Sequence, residues 1–477
     1  MKLIRCLAPS AALILTLSAC TPGPAPTGGP TVSPSPTEVA AVGMSDVPTT
    51  MVTSEKPGTL DRGGVHVSML PLTAWTGLAI AQTNARNAVL QQAAWAGAKD
   101  VRVDSRVVSS SPDLVGIALG AVTGEKRGVV TLYYQPTTNA VFTGAALVEP
   151  ASWAAFVQEV QQVDGGAELA ARLGSPAFPQ GDAPAIGFDA KGNLVVTDGA
   201  THAVVPADKA LGFLTPLGTA ALGGATHPSK VAAATAIVPA AADYTGKADP
   251  ASTRPRVKPG VDCSTAKCVA LTFDDGPVAE SEQVRKTLIE KKVPATFFTL
   301  GNNFNHGKDV TASLSAAGNE VGWHTITHRQ LTGLSQADLT KEISAGPPAL
   351  TPTIGYRPIF FRPPYGAHNK RVDKALADSS FANIMWTVDT KDWDKSKLQG
   401  AALEASVKSI VATEAKPGGI ILMHDIHETS RAATPGVIDE LLQRGFTLVT
   451  VGELPGWESY AVGSSYCAAP ELKQRCW

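Results

Sequence analysis

The stretch that most constrains this chain is Leu271-Thr-Phe-Asp-Asp-Gly-Pro277, which sets two adjacent carboxylates, Asp274 and Asp275, at the end of a short apolar run. Val269 to Phe273 reads as a buried strand of a parallel sheet, apolar and bounded by turn residues. Gly276-Pro277 stops it where side chains point into a site. Two carboxylates placed side by side cannot both ionise cheaply unless a metal or a base offsets their repulsion. Downstream, His324-Thr-Ile-Thr-His328 carries imidazoles at i and i+4, which share a face if that turn is helical. One carboxylate and two imidazoles form a tripod that leaves coordination positions open for water, as catalytic zinc sites do.

After Cys268, strand-like runs alternate with helical ones: 269–275, 295–300, 320–324, 359–362, 383–389, 419–424 and 446–451. Helix signals fall between them, with Ser335 and Asp338 as a capping box and Val284, Leu288 and Ile289 as an apolar face. Seven strands with intervening helices predict a parallel barrel. Five motifs then stand in order: Thr272-Phe-Asp-Asp-Gly-Pro277, His324-Thr-Ile-Thr-His328, Arg362-Pro-Pro-Tyr-Gly366, Asp389-Thr-Lys-Asp-Trp393 and Leu422-Met-His424. In these the chain resembles the polysaccharide deacetylases, carbohydrate esterase family 4, which include chitin and peptidoglycan deacetylases. The resemblance implies an α/β fold: a distorted seven-stranded (β/α) barrel as catalytic domain, with its motif residues at the C-terminal strand ends. A smaller α+β domain precedes it.

The resemblance also implies roles. Asp275, His324 and His328 would hold a divalent metal, zinc or cobalt, and Asp274 would be the general base. Arg362 would orient that base through its planar, permanently charged fork. The backbone N–H of Tyr365 would stabilise the oxyanion. His424 would be the general acid, with Asp389 fixing its tautomer. Leu422 and Trp393 would wall an acetyl pocket, Asp392 would be a structural partner, and Asp425 and His427 receive no role. One departure is Gly322-Trp323-His324, where many relatives carry asparagine before the first histidine. Trp323 is expected to add a bulky ring beside the metal.

At 477 residues with 44% apolar residues the chain can bury more than one core. A formal charge of −2 with no basic stripe excludes nucleic acid as a partner. Residues 1–20 read as an export signal, since Met1-Lys-Leu-Ile-Arg5 is basic and Ala11 to Ala19 is apolar but too short for a permanent span. Leu17-Ser-Ala-Cys20 resembles a bacterial lipobox, which implies lipid attachment at Cys20. Residues 21–59, rich in Pro, Thr, Gly and Ser, are expected to be a disordered tether.

Residues 60–242 read as the α+β domain: a helix near 74–96, strands at 115–121 and 128–134, a return strand within 139–147, a helix through Trp153, Phe156 and Val160, and a hairpin of 186–188 with 194–196. No metal-ligand cluster or nucleophile motif occurs there; His66 and His202 stand alone. In its order of elements the segment resembles the extracellular domain ahead of some wall deacetylases and in lysozyme-sensing anti-sigma proteins. Residues 243–262 are the interdomain linker and 263–477 the catalytic domain. Of six cysteines, Cys6 goes with the signal and Cys20 with the lipid. The remaining four permit three disulfide connectivities, and short separations favour Cys263 with Cys268 and Cys467 with Cys476; a zinc site is the rival.

The expected protein is therefore a metal-dependent hydrolase, lipid-anchored on the extracellular face of the cytoplasmic membrane, that removes N-acetyl groups from a wall polysaccharide, with peptidoglycan as the first choice. The alternatives are a chitooligosaccharide deacetylase, an O-acetyl xylan esterase, or a catalytically silent glycan-binding or lysozyme-sensing lipoprotein.

Overall fold

The computed structural model describes residues 43–175, 181–231, 261–263, 265–394, 396, 398–457, 460–472 and 476. The export signal, Cys20, the first part of the tether and nearly all of the 243–262 linker lie outside the described residues. The described chain belongs to one compact unit, Val39–Trp477.

The N-terminal half runs β1 (Gly58–Arg62), β2 (Val65–Met69), α1 (Thr76–Trp95), β3 (Val101–Ser111), β4 (Leu114–Thr123), β5 (Lys126–Gln135), β6 (Ala140–Thr143), α2 (Trp153–Gln162), α3 (Gly166–Arg172), β7 (Ala185–Phe188), β8 (Leu194–Thr197), β9 (His202–Val205), α4 (Ala207–Ala210) and α5 (Pro216–Thr226). β1 to β6 form one sheet in sequence order, and β7 to β9 form a second. The long strand β3, not anticipated from the sequence, carries a Val-Arg-Val-Asp alternation that seats Val101 and Val103 in the core. Residues 44–59 are not a tether. Met44 and Val47 are buried, and the Ser45 and Val47 amides donate to Phe188 and Val107 carbonyls.

The C-terminal half runs β10 (Lys267–Asp274), α6 (Ser281–Lys291), β11 (Thr296–Thr299), α7 (Gly301–Ala316), β12 (Glu320–Trp323), α8 (Gln336–Ser344), α9 (Gly346–Ile354), β13 (Phe360–Phe361), α10 (Lys370–Asp378), β14 (Ala382–Ile384), β15 (Val388–Asp389), α11 (Gly400–Glu414), β16 (Ile420–His424), α12 (Glu428–Gln443), β17 (Phe446–Val449) and β18 (Ser465–Tyr466). These strands make a curled parallel half-barrel in the order β15-β16-β10-β11-β12-β13-β14-β18, with β17 on the lower part of β10. Nine short strands thus replace the seven expected. The run 383–389 is broken between β14 and β15, and the C-terminal Ser465–Tyr466 adds a stave against β14.

Strand alternation decides what faces the interior. Along β10, Val269, Leu271 and Phe273 pack on the helices with Val284, Leu288, Val437 and Leu441. Ala270, Thr272 and Asp274 therefore point inward. The register aligns Asp274 with His424 of β16, so both functional ends emerge at one level.

The two halves share one apolar cluster, in which Leu60, Val67, Leu78 and Ala85 meet Leu350, Ile354, Tyr356 and Phe361. Helix α1 is buried on most of its surface, and Asn84, Arg86 and Gln91 reach the barrel. Arg86 donates to Ser315 Oγ at 2.7 Å and to the Ile354 carbonyl at 2.8 Å, Asn84 to the Gly452 carbonyl at 2.6 Å, and Gln91 to the Gly318 carbonyl at 3.0 Å. Cys263 and Cys268 form a disulfide. Cys467 and Cys476 do not; their thiols hydrogen-bond to each other instead.

Candidate active site

Asp274 ends β10 facing inward, and the chain then turns through Asp275 at φ 71°. That turn swings the second carboxylate towards β12. Its Oδ1 lies 3.3 Å from His324 Nε2 and 3.1 Å from His328 Nε2. The turn between the two histidines is not helical, so the condition under which i and i+4 share a face is not met. Thr325 and His328 have φ of 72° and 59°, and the loop is clamped by the buried Glu342, which accepts from the Ile326 amide at 2.7 Å and the Thr327 amide at 3.0 Å. Such a loop brings the rings together (centroids 5.1 Å apart) without helical periodicity.

These three residues suit a metal. Their ligand atoms lie within 4.8 Å of one another, and Asp275 Oδ1 is a buried oxygen with no hydrogen-bond partner among the described residues. His324 Nδ1 stands 2.6 Å from the Arg362 carbonyl, which can only accept. Nδ1 must therefore carry the proton, leaving the Nε2 lone pair facing Asp275. Burial would raise the Asp275 pKa; with the two rings protonated, the state in which no ion takes up their Nε2 lone pairs, their hydrogen bonds and charge outweigh it and hold the carboxyl well below the usual carboxylate range.

Asp274 is held separately. Arg362, wholly buried, donates to Asp274 Oδ1 at 2.7 Å, Thr272 Oγ1 at 2.8 Å, the Ile384 carbonyl at 2.9 Å and the Met385 carbonyl at 3.0 Å. Met385 in turn is fixed by the C-terminal stave, its amide donating to the Tyr466 carbonyl at 2.7 Å.

The carboxylate behind His424 is Asp392, not Asp389. Asp392 Oδ1 lies 2.8 Å from His424 Nδ1, and Oδ2 accepts from the His424 amide at 2.7 Å and from Ser430 Oγ. Asp389 turns to its neighbour Lys391, whose Nζ is 2.6 Å away and whose amide also donates to it. Lys391 beside Asp389 was a sequence signal for that local pairing. Burial alone would lower the His424 pKa. The hydrogen bond and charge of Asp392, with the charges of Asp274 and Asp275, carry it up to about 9.

Trp323 does not stand beside the metal ligands. One residue before the inward-facing His324, it faces outward, where its Nε1 donates to the Glu342 carbonyl at 2.9 Å and a Cβ on Gly346 would lie 2.5 Å from its ring. Leu422 is buried in the inward row of β16, whereas Trp393 is 47% exposed at the rim. Tyr365, with φ 62°, places its hydroxyl 3.2 Å from His328 Nδ1. Asp425 is buried under the Asp275–Pro277 turn, where a Cβ on Gly276 would lie 2.3 Å from its Oδ1. Glu342 stands in none of the five motifs, and Thr272 and the Tyr365 hydroxyl, though inside two of them, were given no role from the sequence.

An Asp-His-His cluster flanked by an arginine-bound carboxylate and a carboxylate-backed histidine, at the strand ends of a parallel half-barrel, is a site of hydrolase type. The polysaccharide deacetylase family profile matches residues 262–384. The chain is 37% identical over 203 residues to the peptidoglycan-N-acetylglucosamine deacetylase PgdA of Listeria monocytogenes, covering 42% of this chain and 41% of that one. It is 36% identical over 190 residues to the peptidoglycan-N-acetylmuramic acid deacetylase PdaC of Bacillus subtilis, covering 39% and 38% respectively. These matches thus span about two-fifths of those two relatives. With the chitin deacetylase of Colletotrichum lindemuthianum it shares 32% identity over 206 residues, 42% of this chain and 83% of that one. The chain belongs to the polysaccharide deacetylase family.

Proposed function

We propose that this protein is a metal-dependent hydrolase that removes N-acetyl groups from a cell-wall polysaccharide, with peptidoglycan amino sugars as its substrate. The observation that carries this reading is the joint placement of the Asp275-His324-His328 cluster, Asp274 and His424 around one site. Two peptidoglycan deacetylases among the relatives support the choice of polymer.

Hydrolysis of the amide needs water made nucleophilic and an amine made a leaving group. Zinc or cobalt held by Asp275, His324 and His328 would lower the pKa of water to about 7 and polarise the acetyl carbonyl. Asp274, fixed by Arg362, takes the proton of the attacking water. The Tyr365 backbone N–H donates to the developing oxyanion. His424, kept protonated by Asp392, gives its proton to the departing nitrogen, so that acetate and a free amine result. Leu422 and Trp393 bound the acetyl methyl.

The purified full chain should release acetate from N-acetylated peptidoglycan, lose that activity on chelation and regain it with zinc or cobalt. Full activity after complete metal removal would overturn the metal assignment. Faster acetate release from chitin oligomers or acetylated xylan would transfer the reading to those polymers.

The same reading takes residues 1–20 as a lipoprotein signal, Cys20 as the lipid attachment site and the extracellular face of the cytoplasmic membrane as the location. Cys20→Ala should move the protein from the membrane fraction to the medium or leave it unprocessed. An unlipidated mature N-terminus in the wild type would reject the anchor.

A further inference from the structure

Each of the two histidines in the metal-type cluster needs its Nδ1 occupied if Nε2 is to serve as a ligand. His324 is set by a buried backbone carbonyl, that of Arg362. His328 is set differently: the group at its Nδ1 is the Tyr365 hydroxyl, 3.2 Å away, and the two rings meet edge to face with centroids 4.7 Å apart. His328 Nε2, on the opposite side of the ring, faces Asp275 Oδ1 at 3.1 Å.

Two further observations say that this side chain is not there for packing. Tyr365 is 68% exposed, among the most exposed large apolar residues described. Its backbone also sits at φ 62°, a left-handed conformation in which glycine or asparagine is easier and a bulky side chain is uncommon. What the exposed side chain itself engages is His328, through its hydroxyl and the edge-to-face contact of its ring.

We propose that Tyr365 is a positioning residue for the metal ligand His328. Its hydroxyl accepts the Nδ1–H of His328, fixing the tautomer whose Nε2 lone pair faces Asp275 and His324, and its ring sets the imidazole plane. This rests on the metal-dependent reading above. It makes the site asymmetric: His324 is locked by the main chain, while His328 is held by an exposed side chain that a bound polysaccharide would cover. Ligand geometry at His328 is thereby open to the substrate.

The test is the affinity of the metal-free full chain for zinc alone, measured by competition with a chromophoric chelator. Tyr365→Phe keeps the ring and the backbone N–H and removes only the hydroxyl, and it should weaken zinc binding by about 10- to 100-fold, the usual effect of removing a partner of a ligating histidine. Thermal unfolding of the metal-free variant should match the parent, because the hydroxyl is not part of the core. In a His328→Ala background, Tyr365→Phe should cause no further loss. Unchanged zinc affinity in Tyr365→Phe, with wild-type protein binding zinc, overturns the proposal and leaves the deacetylase reading standing. An equal loss in the His328→Ala background also overturns it, since the hydroxyl would then act elsewhere. Failure of the wild type to bind zinc overturns both.

Discussion

Replacing Arg362 by alanine is expected to lower the unfolding free energy by about 3–5 kcal/mol, because it breaks a buried ion pair and leaves a charge without its partner. Arg362 and Asp274 are both removed from solvent, with side-chain exposures of 0% and 4%. The guanidinium also meets Thr272 Oγ1 and two main-chain carbonyls, and lies 4.2 Å from the Phe298 ring centroid. Lysine is no substitute, since a single ammonium cannot reproduce a planar fork that reaches four acceptors. The double variant Arg362→Ala/Asp274→Asn should recover part of the loss by removing the stranded carboxylate. Denaturant unfolding of the four proteins gives the coupling directly. Additive losses would show that the pair is not an energetic unit, and a single variant within about 1 kcal/mol of the parent would place it among ordinary substitutions.

The pair was legible in the sequence because both partners stand in motifs tied to strand ends. The apolar strand 269–273 and the strand-like run 419–424 marked the ends at which Asp274 and His424 stand, and the register of β10 on β16 brings the two together. Sequence spacing failed where the chain leaves regular structure. The interval between His324 and His328 fits a helical turn, yet the two rings meet through residues at positive φ under the Glu342 clamp. Asp389 and Asp392 are equivalent by composition; the presence of Lys391 as a local partner and of Ser430 on a distant helix separates them.

Trp323 followed the opposite rule from the one assumed. Adjacent strand residues point to opposite faces, so a residue next to a ligand is the one that cannot share its site. Helix α1 shows the remaining difficulty. Asn84, Arg86, Asn87 and Gln91 would ordinarily mark a solvent face, but all four are buried against the barrel. An amphipathic pattern tells which face is polar and not whether another element supplies acceptors for it. The same holds for residues 44–59, whose small and polar composition resembles a tether while their main chain bonds to the N-terminal sheets.

His424→Ala is expected to lower the maximal rate by about 10²- to 10⁴-fold, the usual contribution of a positioned acid or base. Acid catalysis requires the protonated ring. With its pKa carried up to about 9, His424 is protonated at neutral pH, and the rate should fall as pH rises through that value. The same elevation contributes folding stability that is fully present below the ordinary histidine range and is lost as pH rises through about 9. Asp392→Asn removes the charge that opposes the burial effect and leaves at most a neutral acceptor for Nδ1–H, so the imidazole pKa should drop and the basic limb of the pH–rate profile should move to lower pH. Asp389→Asn should leave that limb where it is, because Asp389 is engaged with Lys391. His424→Ala should lack the limb altogether. A profile that shifts with Asp389 and not with Asp392, or a limb that survives in His424→Ala, would mean that the proton reaching the leaving nitrogen comes from another group.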